Sequence, residues 1–297
     1  MENSTGEREF IRCPVCNGEN YRRFLPGVPE DIVRCVGCGA VYVNPRRSEE
    51  RIRNFFEQEY ITTATQLNYQ FGEVRARTLK REARFIRELV ERGRILDIGC
   101  AGGEFLSFFE DGQWERFGVE PSRAAGAAAS ARGVRIFPGA FSYVQIDAGP
   151  FDVISCLDAI YFSPSPLQDL LKIRGLLKPG GLFVVEIPGH LYRLVRNIGP
   201  VSLLVNRRWC QMSSASPHLY HFSDRAFRQL LSNAGFSVFK VALERSPESG
   251  GRFFQALNAT WFALSAVIAR ITLDAINPAA KVVYFCRPLA TTSEIHE

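Results

Sequence analysis

The stretch Ile95-Leu96-Asp97-Ile98-Gly99-Cys100-Ala101-Gly102-Gly103-Glu104-Phe105 constrains this chain more than any other. An apolar, β-like run meets a glycine-rich turn that opens a helix-like pattern. A strand turning on glycine into a helix lets backbone approach a nucleotide-like ligand closely. A dinucleotide fingerprint would need glycine at positions 99, 101 and 104, and Ala101 and Glu104 stand at the last two. Asp97, just ahead of the turn, repels a pyrophosphate and suits a cationic ligand with an amino group. One strand later, Glu120 in Val119-Glu120-Pro121-Ser122 can accept both hydroxyls of a ribose. Alone, that acid would serve NAD as well. Asp97, Gly99 and Glu120 together point to S-adenosylmethionine.

Apolar runs at 94–98, 116–120, 134–137, 151–156, 182–187, 236–243 and 281–286 read as strands, and 122–132, 167–177 and 224–234 as helices. The alternation predicts an α/β fold, a parallel sheet with helices on both faces. Ser223 reads as an N-cap and Gly235 as a stop. Lys178-Pro179-Gly180-Gly181 reads as a turn. Residues 48–93 read as mostly helix, with Val74, Phe85, Ile86, Leu89 and Val90 on one apolar stripe and Gly93 as C-cap.

Residues 1–47, rich in Cys, Gly and Pro, look too short for a conventional core and need a staple. Cys13-Pro14-Val15-Cys16 and Cys35-Val36-Gly37-Cys38 supply it, each pair turning two thiolates onto one cation. Gly18 and Gly39 follow the pairs, where the backbone must turn sharply. This spacing predicts a closed, tetrahedral structural zinc site with Cys13, Cys16, Cys35 and Cys38 as ligands, though four sulfurs also suit iron. A closed site leaves no open position for catalysis.

With 297 residues, 46% of them hydrophobic, the chain can bury a full α/β core and carry one small module. Its net charge of +5 comes mostly from Arg, with no block of like charge, so nucleic acid is not the expected partner. The polar N-terminus lacks a signal-peptide pattern, and the expectation is a soluble, cytoplasmic protein in which disulfides are disfavoured. The charge-free stretch 253–269 is interrupted by Gln255, Asn258, Thr260 and Ser265 and is short for a bilayer span. It reads first as a buried helix before the last strand (252–272), and alternatively as a helix lying on a membrane surface. Nothing in the sequence sets the oligomeric state.

These motifs together resemble the Rossmann-like (class I) S-adenosylmethionine-dependent methyltransferases, and more narrowly the branch with an N-terminal two-knuckle zinc motif. The resemblance covers nearly the whole chain. It rests on the cysteine pairs with Tyr42-Val43-Asn44-Pro45-Arg46 after them, on Leu96-Asp97-Ile98-Gly99-Cys100, and on Phe151-Asp152-Val153-Ile154. It continues in Leu176-Leu177-Lys178-Pro179-Gly180-Gly181, Glu186-x-Pro188 and His218-Leu219-Tyr220-His221-Phe222-Ser223. It implies a seven-stranded, mostly parallel sheet, with a zinc ribbon over 1–47, a helical linker or lid over 48–93 and a methyltransferase domain over 94–290. Asp97, Gly99, Cys100, Ala101 and Gly103 would shape the methionine pocket, and Glu120 with Pro121 would hold the ribose. Ala140 and Phe141 would flank the adenine, and Leu157 and Asp158 would sit beside the methyl donor. Two departures stand out. Ala101 occupies a place where relatives often have Gly, and Tyr161 and Phe162 replace a Glu-His pair found in many relatives, so a base role for that histidine is absent.

His190, His218 and His221 lie between the fifth strand and the following helix, on the ligand-binding end of such a sheet. The segment 189–222, with Tyr192, Trp209 and several Arg, is expected to form a lid or substrate wall. His190 and Tyr161 are the candidate catalytic residues on the acceptor side. His218 and His221 read equally well as packing or capping groups around Ser223. The expected acceptor is a small molecule: a sugar, a glycan or lipid precursor, or a secondary metabolite. One alternative is RNA gripped by the ribbon, with Arg22, Arg23, Arg34, Arg46 and Arg47 diluted by Glu19, Glu30 and Asp31. The other is a non-catalytic binding protein, against which the paired acids Asp97 and Glu120 argue.

Overall fold

The computed structural model describes residues 8–25, 31–55, 73–200, 203, 218–245 and 252–290. Five short strands come first: β1 (Arg8–Glu9), β2 (Tyr21–Leu25), β3 (Ile32–Cys35), β4 (Val41–Val43) and β5 (Arg46–Arg47). β2, β3 and β4 form a three-stranded sheet, and β1 pairs with β5. Helices α1 (Glu49–Asn54) and α2 (Glu73–Leu89) lead to the central sheet. That sheet has seven strands: β6 (Gly93–Ile98), β7 (Trp114–Glu120), β8 (Arg135–Pro138), β9 (Phe151–Leu157), β10 (Leu177–Pro188), β11 (Phe236–Glu244) and β12 (Lys281–Pro288). Between them lie α3 (Arg123–Ala131), α4 (Pro166–Leu176), α5 (His190–Asn197), α6 (Asp224–Asn233) and α7 (Arg252–Ile271).

The sheet order is β11-β12-β10-β9-β6-β7-β8. Pairings from β10 across to β8 are parallel, while β12 inserts antiparallel to both neighbours. The central strands are near-continuous apolar runs because both sheet faces are covered. Leu96, Ile154, Phe183 and Tyr284 point to one core, and their neighbours Ile95, Val153, Val184 and Phe285 to the other. Side-chain caps set the helix starts: Ser122 accepts from the Ala125 N–H and Ser223 from the Ala226 N–H. Gly235, with φ +77°, ends α6 as expected.

Several local expectations are corrected. Gly93 caps no helix: α2 ends at Leu89, and Gly93 opens β6 with φ +146°, where any Cβ would overlap the Asp152 carboxylate. The buried face of α2 carries Arg75, Leu79, Glu82, Ala83 and Ile86, whereas Leu89 is exposed. Two ionic residues therefore lie on the face that binary patterning reserves for apolar ones. The glycine turn opens only one 3₁₀ turn, Leu106–Phe109. Residues 178–181 are absorbed into β10 through a register shift between Leu177 and Leu182. In the first cysteine knuckle the left-handed residue is Asn17 (φ 59°), and Gly18 is needed for space, since its Cβ would lie 3.3 Å from the Cys16 sulfur. α7 is not buried: Leu257, Leu264, Val267 and Ile271 are each more than half exposed. Of the segment 189–222, residues 201, 202 and 204–217 lie outside the described residues, as do 56–72 of the linker.

Candidate functional site

The cleft lies at the C-terminal ends of β6, β7 and β9. Gly99 leaves β6 with φ +76°, and a Cβ there would stand 3.1 Å from the Ala159 methyl. Its N–H and that of Cys100 donate to Val119 O at 2.8 and 3.2 Å, folding the turn over the end of β7. Ala101 is also left-handed (φ 48°), a position that favours glycine, and its N–H donates to Glu120 Oε2 at 2.9 Å. The Ser122 N–H donates to Glu120 Oε1 at 2.8 Å. Each Glu120 oxygen thus has one protein donor and a lone pair left for a ligand in the cleft. Burial raises its pKa, and these two N–H groups oppose the shift.

The cleft is partly open to solvent, with a cavity volume of about 110 Å³. Ile98, Val119, Cys156 and Ile173 supply apolar lining, and Gly139, Ala140 and Phe141 form one wall. That wall is pinned by the Lys172 ammonium, which donates to Phe141 O and Val144 O at 2.6 Å and sits 4.4 Å from the Phe141 ring centre. Three acids line the cleft, Glu120, Asp158 and Asp169, and among the described lining residues there is no Lys, Arg or His. Asp97 lies beneath the turn, buried, accepting from Ser155 Oγ at 2.7 Å. Burial pushes its pKa up to about 7 against that hydrogen bond.

One part of the site escapes hydrophobic patterning. Asp158 (φ 61°) pairs with Lys281 and lies 3.7 Å from Arg75. Lys281 also reaches Glu186 at 2.8 Å, and Arg75 reaches Glu186 at 2.5 Å and Glu244 at 3.1 Å. Oxygens of Glu82, Glu186 and Glu244 lie within 4.8 Å of one another. Burial, chiefly, raises their pKa values to about 7, 8 and 9 respectively. A readable signal existed: Asp97, Glu120, Asp158 and Glu244 stand at or next to the C-terminal end of a sheet strand, and Glu186 two residues before one.

Of the expected cofactor residues, Gly99, Glu120, Pro121, Ala140, Phe141 and Asp158 line the cleft. Ala101 touches it through Glu120. Cys100 is buried against Gly118, Gly103 packs on Ala129 and Val134, and Leu157 belongs to the core cluster that includes Ile95 and Val184. Tyr161 is buried; its hydroxyl donates to Asp158 Oδ1 at 3.2 Å and its ring lies 4.3 Å from that of His218. His218 accepts from Arg193, and burial with that cation lowers its pKa to about 2. His190 opens α5 away from the cleft lining, and its Nδ1 is buried without a hydrogen-bond partner among the described residues.

The cysteine sulfurs converge: Cys13 to Cys38 is 3.4 Å, Cys16 to Cys35 is 3.5 Å, and all four lie within 4.8 Å. A tetrahedral zinc with bonds of about 2.3 Å would hold its sulfurs about 3.8 Å apart, so the quartet fits one ion with small adjustments. The knuckles are joined to the cleft by Arg46, which is buried, pairs with Glu9 at 2.7 Å, and donates to Pro164 O at 2.5 Å and to the Tyr220 hydroxyl at 3.0 Å. Pro164 lines the cleft.

A seven-stranded sheet with one antiparallel insertion, a glycine turn after β6 and an acid ending β7 define a class I S-adenosylmethionine-dependent methyltransferase. The methyltransferase-domain family matches residues 67–241, and the chain belongs to it. A tRNA U34 carboxymethyltransferase of Desulforapulum autotrophicum is 29% identical over 138 residues, 39% of this chain and 42% of that one. A ubiquinone biosynthesis O-methyltransferase of Vibrio parahaemolyticus is 29% identical over 100 residues, 30% of this chain and 40% of that one. The chain thus spans well under half of these curated relatives. In structure it is similar to a methyltransferase of Thermotoga maritima, with TM-score 0.51 and 20% identity, covering 79% of this chain and 100% of the other. Among the described residues, no helix is long and apolar enough to cross a membrane.

Proposed function

We propose that this protein methylates a small-molecule acceptor: a sugar, a glycan or lipid precursor, or a secondary metabolite. The carrying observation is the cleft lined by three acids and no base, which suits a cationic ligand and repels a phosphate-rich one. In this reading residues 1–47 are a structural zinc ribbon held by Cys13, Cys16, Cys35 and Cys38, 48–93 a linker or lid, and 94–290 the transfer domain. S-adenosylmethionine, when bound, supplies an activated methyl group and a thioether leaving group. Asp97, Gly99, Cys100, Ala101 and Gly103 shape its methionine end. Glu120 and Pro121 receive the ribose, Ala140 and Phe141 flank the adenine, and Leu157 and Asp158 stand at the methyl side. The apolar walls exclude water and hold acceptor and donor in line. Asp158, held by Lys281, Arg75 and Tyr161, faces the acceptor. A base is needed only if the acceptor must lose a proton.

Calorimetric titration with S-adenosylmethionine tests this. We expect about micromolar binding by the wild type and at least ~100-fold weaker binding by Asp97→Ala. Asp97 must be ionised to face the ligand's ammonium group, so the wild-type Kd should rise as pH falls through about 7, approaching ~tenfold per pH unit. Asp97→Asn should lack that step. Equal affinity in wild type and Asp97→Ala, or no binding by a folded protein, would leave the non-catalytic scaffold as the better reading.

One observation favours RNA as a second reading. Arg22, Arg34 and Arg225 line a cleft beside the second cysteine knuckle, and none of them forms an ion pair among the described residues. Arg23 and Arg46, by contrast, are taken up by Asp31 and Glu9. RNA binding that weakens steeply with salt would separate this reading from the first.

A further inference from the structure

α7 turns its apolar side chains the wrong way for a core helix. Leu257, Leu264, Val267 and Ile271, spaced seven, three and four residues apart, lie on one stripe and are 53%, 52%, 53% and 76% exposed. The opposite face supplies the buried Ser265 and Ala269. Beyond the helix end, Leu273 is 89% exposed. Single exposed apolar residues are ordinary, but a continuous row marks a contact surface.

The connection that carries α7 opens and closes at the cleft end of the sheet. β11 ends at Glu244 and β12 starts at Lys281, paired in register beside Glu186 and Asp158, so α7 leaves and re-enters the sheet there. Trp261 fixes it, donating from Nε1 to Pro278 O at 2.8 Å with its ring 6.4 Å from that of Tyr192 on α5. α5 adds Leu191 and Val195, exposed and one turn apart.

Charge selects the occupant. α7 contains arginine and no Asp or Glu. Arg270 is exposed in its last turn, while Arg245 stands 5.7 Å from the Phe262 ring, on the side of α7 that packs toward Lys240 and Ala242. A second copy would set this stripe against itself with arginines meeting arginines and no helix carboxylate to receive them. An anionic bilayer accepts both features, the apolar side chains below the headgroups and the guanidinium groups among the phosphates.

We propose that α7 lies in the surface of an anionic phospholipid membrane, placing the cleft beside the bilayer. The membrane contact stands independently of the acceptor's identity. Vesicle flotation of the intact chain tests it, with phosphatidylcholine alone and with about one-third phosphatidylglycerol. The wild type should float with the mixed vesicles, less so in high salt or without the anionic lipid. Leu264→Glu combined with Val267→Glu, both at exposed positions, should weaken binding at least ~tenfold and leave the melting temperature and S-adenosylmethionine affinity unchanged. Failure of the wild type to bind mixed vesicles, or equal binding by the double variant, would overturn the proposal. So would sedimentation equilibrium showing a wild-type dimer that the same variant dissociates.

Discussion

Replacing Arg75 by Met should destabilise the protein by ~3–5 kcal/mol, and the loss should grow with pH. The Arg75 side chain is 9% exposed and meets Glu186 and Glu244, both essentially buried. Lys281 also reaches Glu186, at 2.8 Å. Removing one partner of a buried ion pair leaves charge without compensation, which costs far more than the pair contributes net. The sign of the pH dependence follows from the carboxyls. Burial raises Glu82, Glu186 and Glu244 to about 7, 8 and 9, above the ordinary carboxyl range. The folded state therefore binds protons that the unfolded chain has released. Their contribution is complete below the ordinary range and is lost as pH rises through those values. The wild type should lose stability across this window, and Glu244→Gln should flatten the slope. In Arg75→Met the carboxyls lose the cation that lowers them and neutralise themselves by protonation, which costs more at pH 9 than at pH 6. Denaturant melts at the two pH values decide the matter. A loss under ~1 kcal/mol at both would show that the arginine only fills space.

The same cluster shows where the sequence stops being legible. Glycine and acid announce the cleft because their reasons are local. Gly99 must adopt a left-handed turn, and Glu120 must stand where a strand runs out, so both were readable from a dozen residues. Arg75 and Glu82 have a non-local reason. They sit on the buried face of α2 only because Glu186, Glu244 and Lys281 arrive there from strands more than a hundred residues away. Hydrophobic periodicity found Ile86, with Phe85 and Val90 packed beside it, but missed Arg75 and Glu82, since it assumes that charge faces water. Gly93 misled for a related reason. What requires it is the Asp152 carboxylate, which a helix-end reading of residues 89–93 could not include. In α7 the periodicity itself was present, and the expectation that an apolar face turns inward failed. The acids near the strand ends were visible throughout; read as a series, they would have pointed to Glu186 and Glu244 as partners for a buried cation.

Replacing Cys35 by Ala should abolish zinc binding and weaken the cofactor site at a distance. Structural zinc contributes on the order of 10 kcal/mol to folding small Cys-rich units, more than strands of two to five residues can replace. Cys13, Cys35 and Cys38 also belong to the same buried cluster as Phe183 and Tyr220, so a loosened ribbon opens part of the main core. The route to the cleft is specific. Val43 donates to Leu219 O and His221 to Val41 O, which hold the ribbon on the segment carrying Tyr220. Tyr220 and Arg46 both donate to Pro164 O, in the cleft wall. Without the ribbon, that wall loses the Arg46 donor, and Tyr220 loses the strand that anchors it. Metal analysis of the purified wild type should find about one zinc per chain, and Cys35→Ala none. The variant should keep its sheet, because the core cluster on the other sheet face contains no ribbon residue, yet bind S-adenosylmethionine at least ~tenfold more weakly. Arg46→Met, with zinc retained, should reproduce part of that loss, since it cuts the link and spares the metal. A Cys35→Ala protein with wild-type affinity would show that the ribbon braces nothing at the cleft. The Pro164 wall would then be held from the α4 side, where Asp169 bonds Ser163 just ahead of the helix, and the ribbon's purpose would pass to the arginine cleft beside its second knuckle.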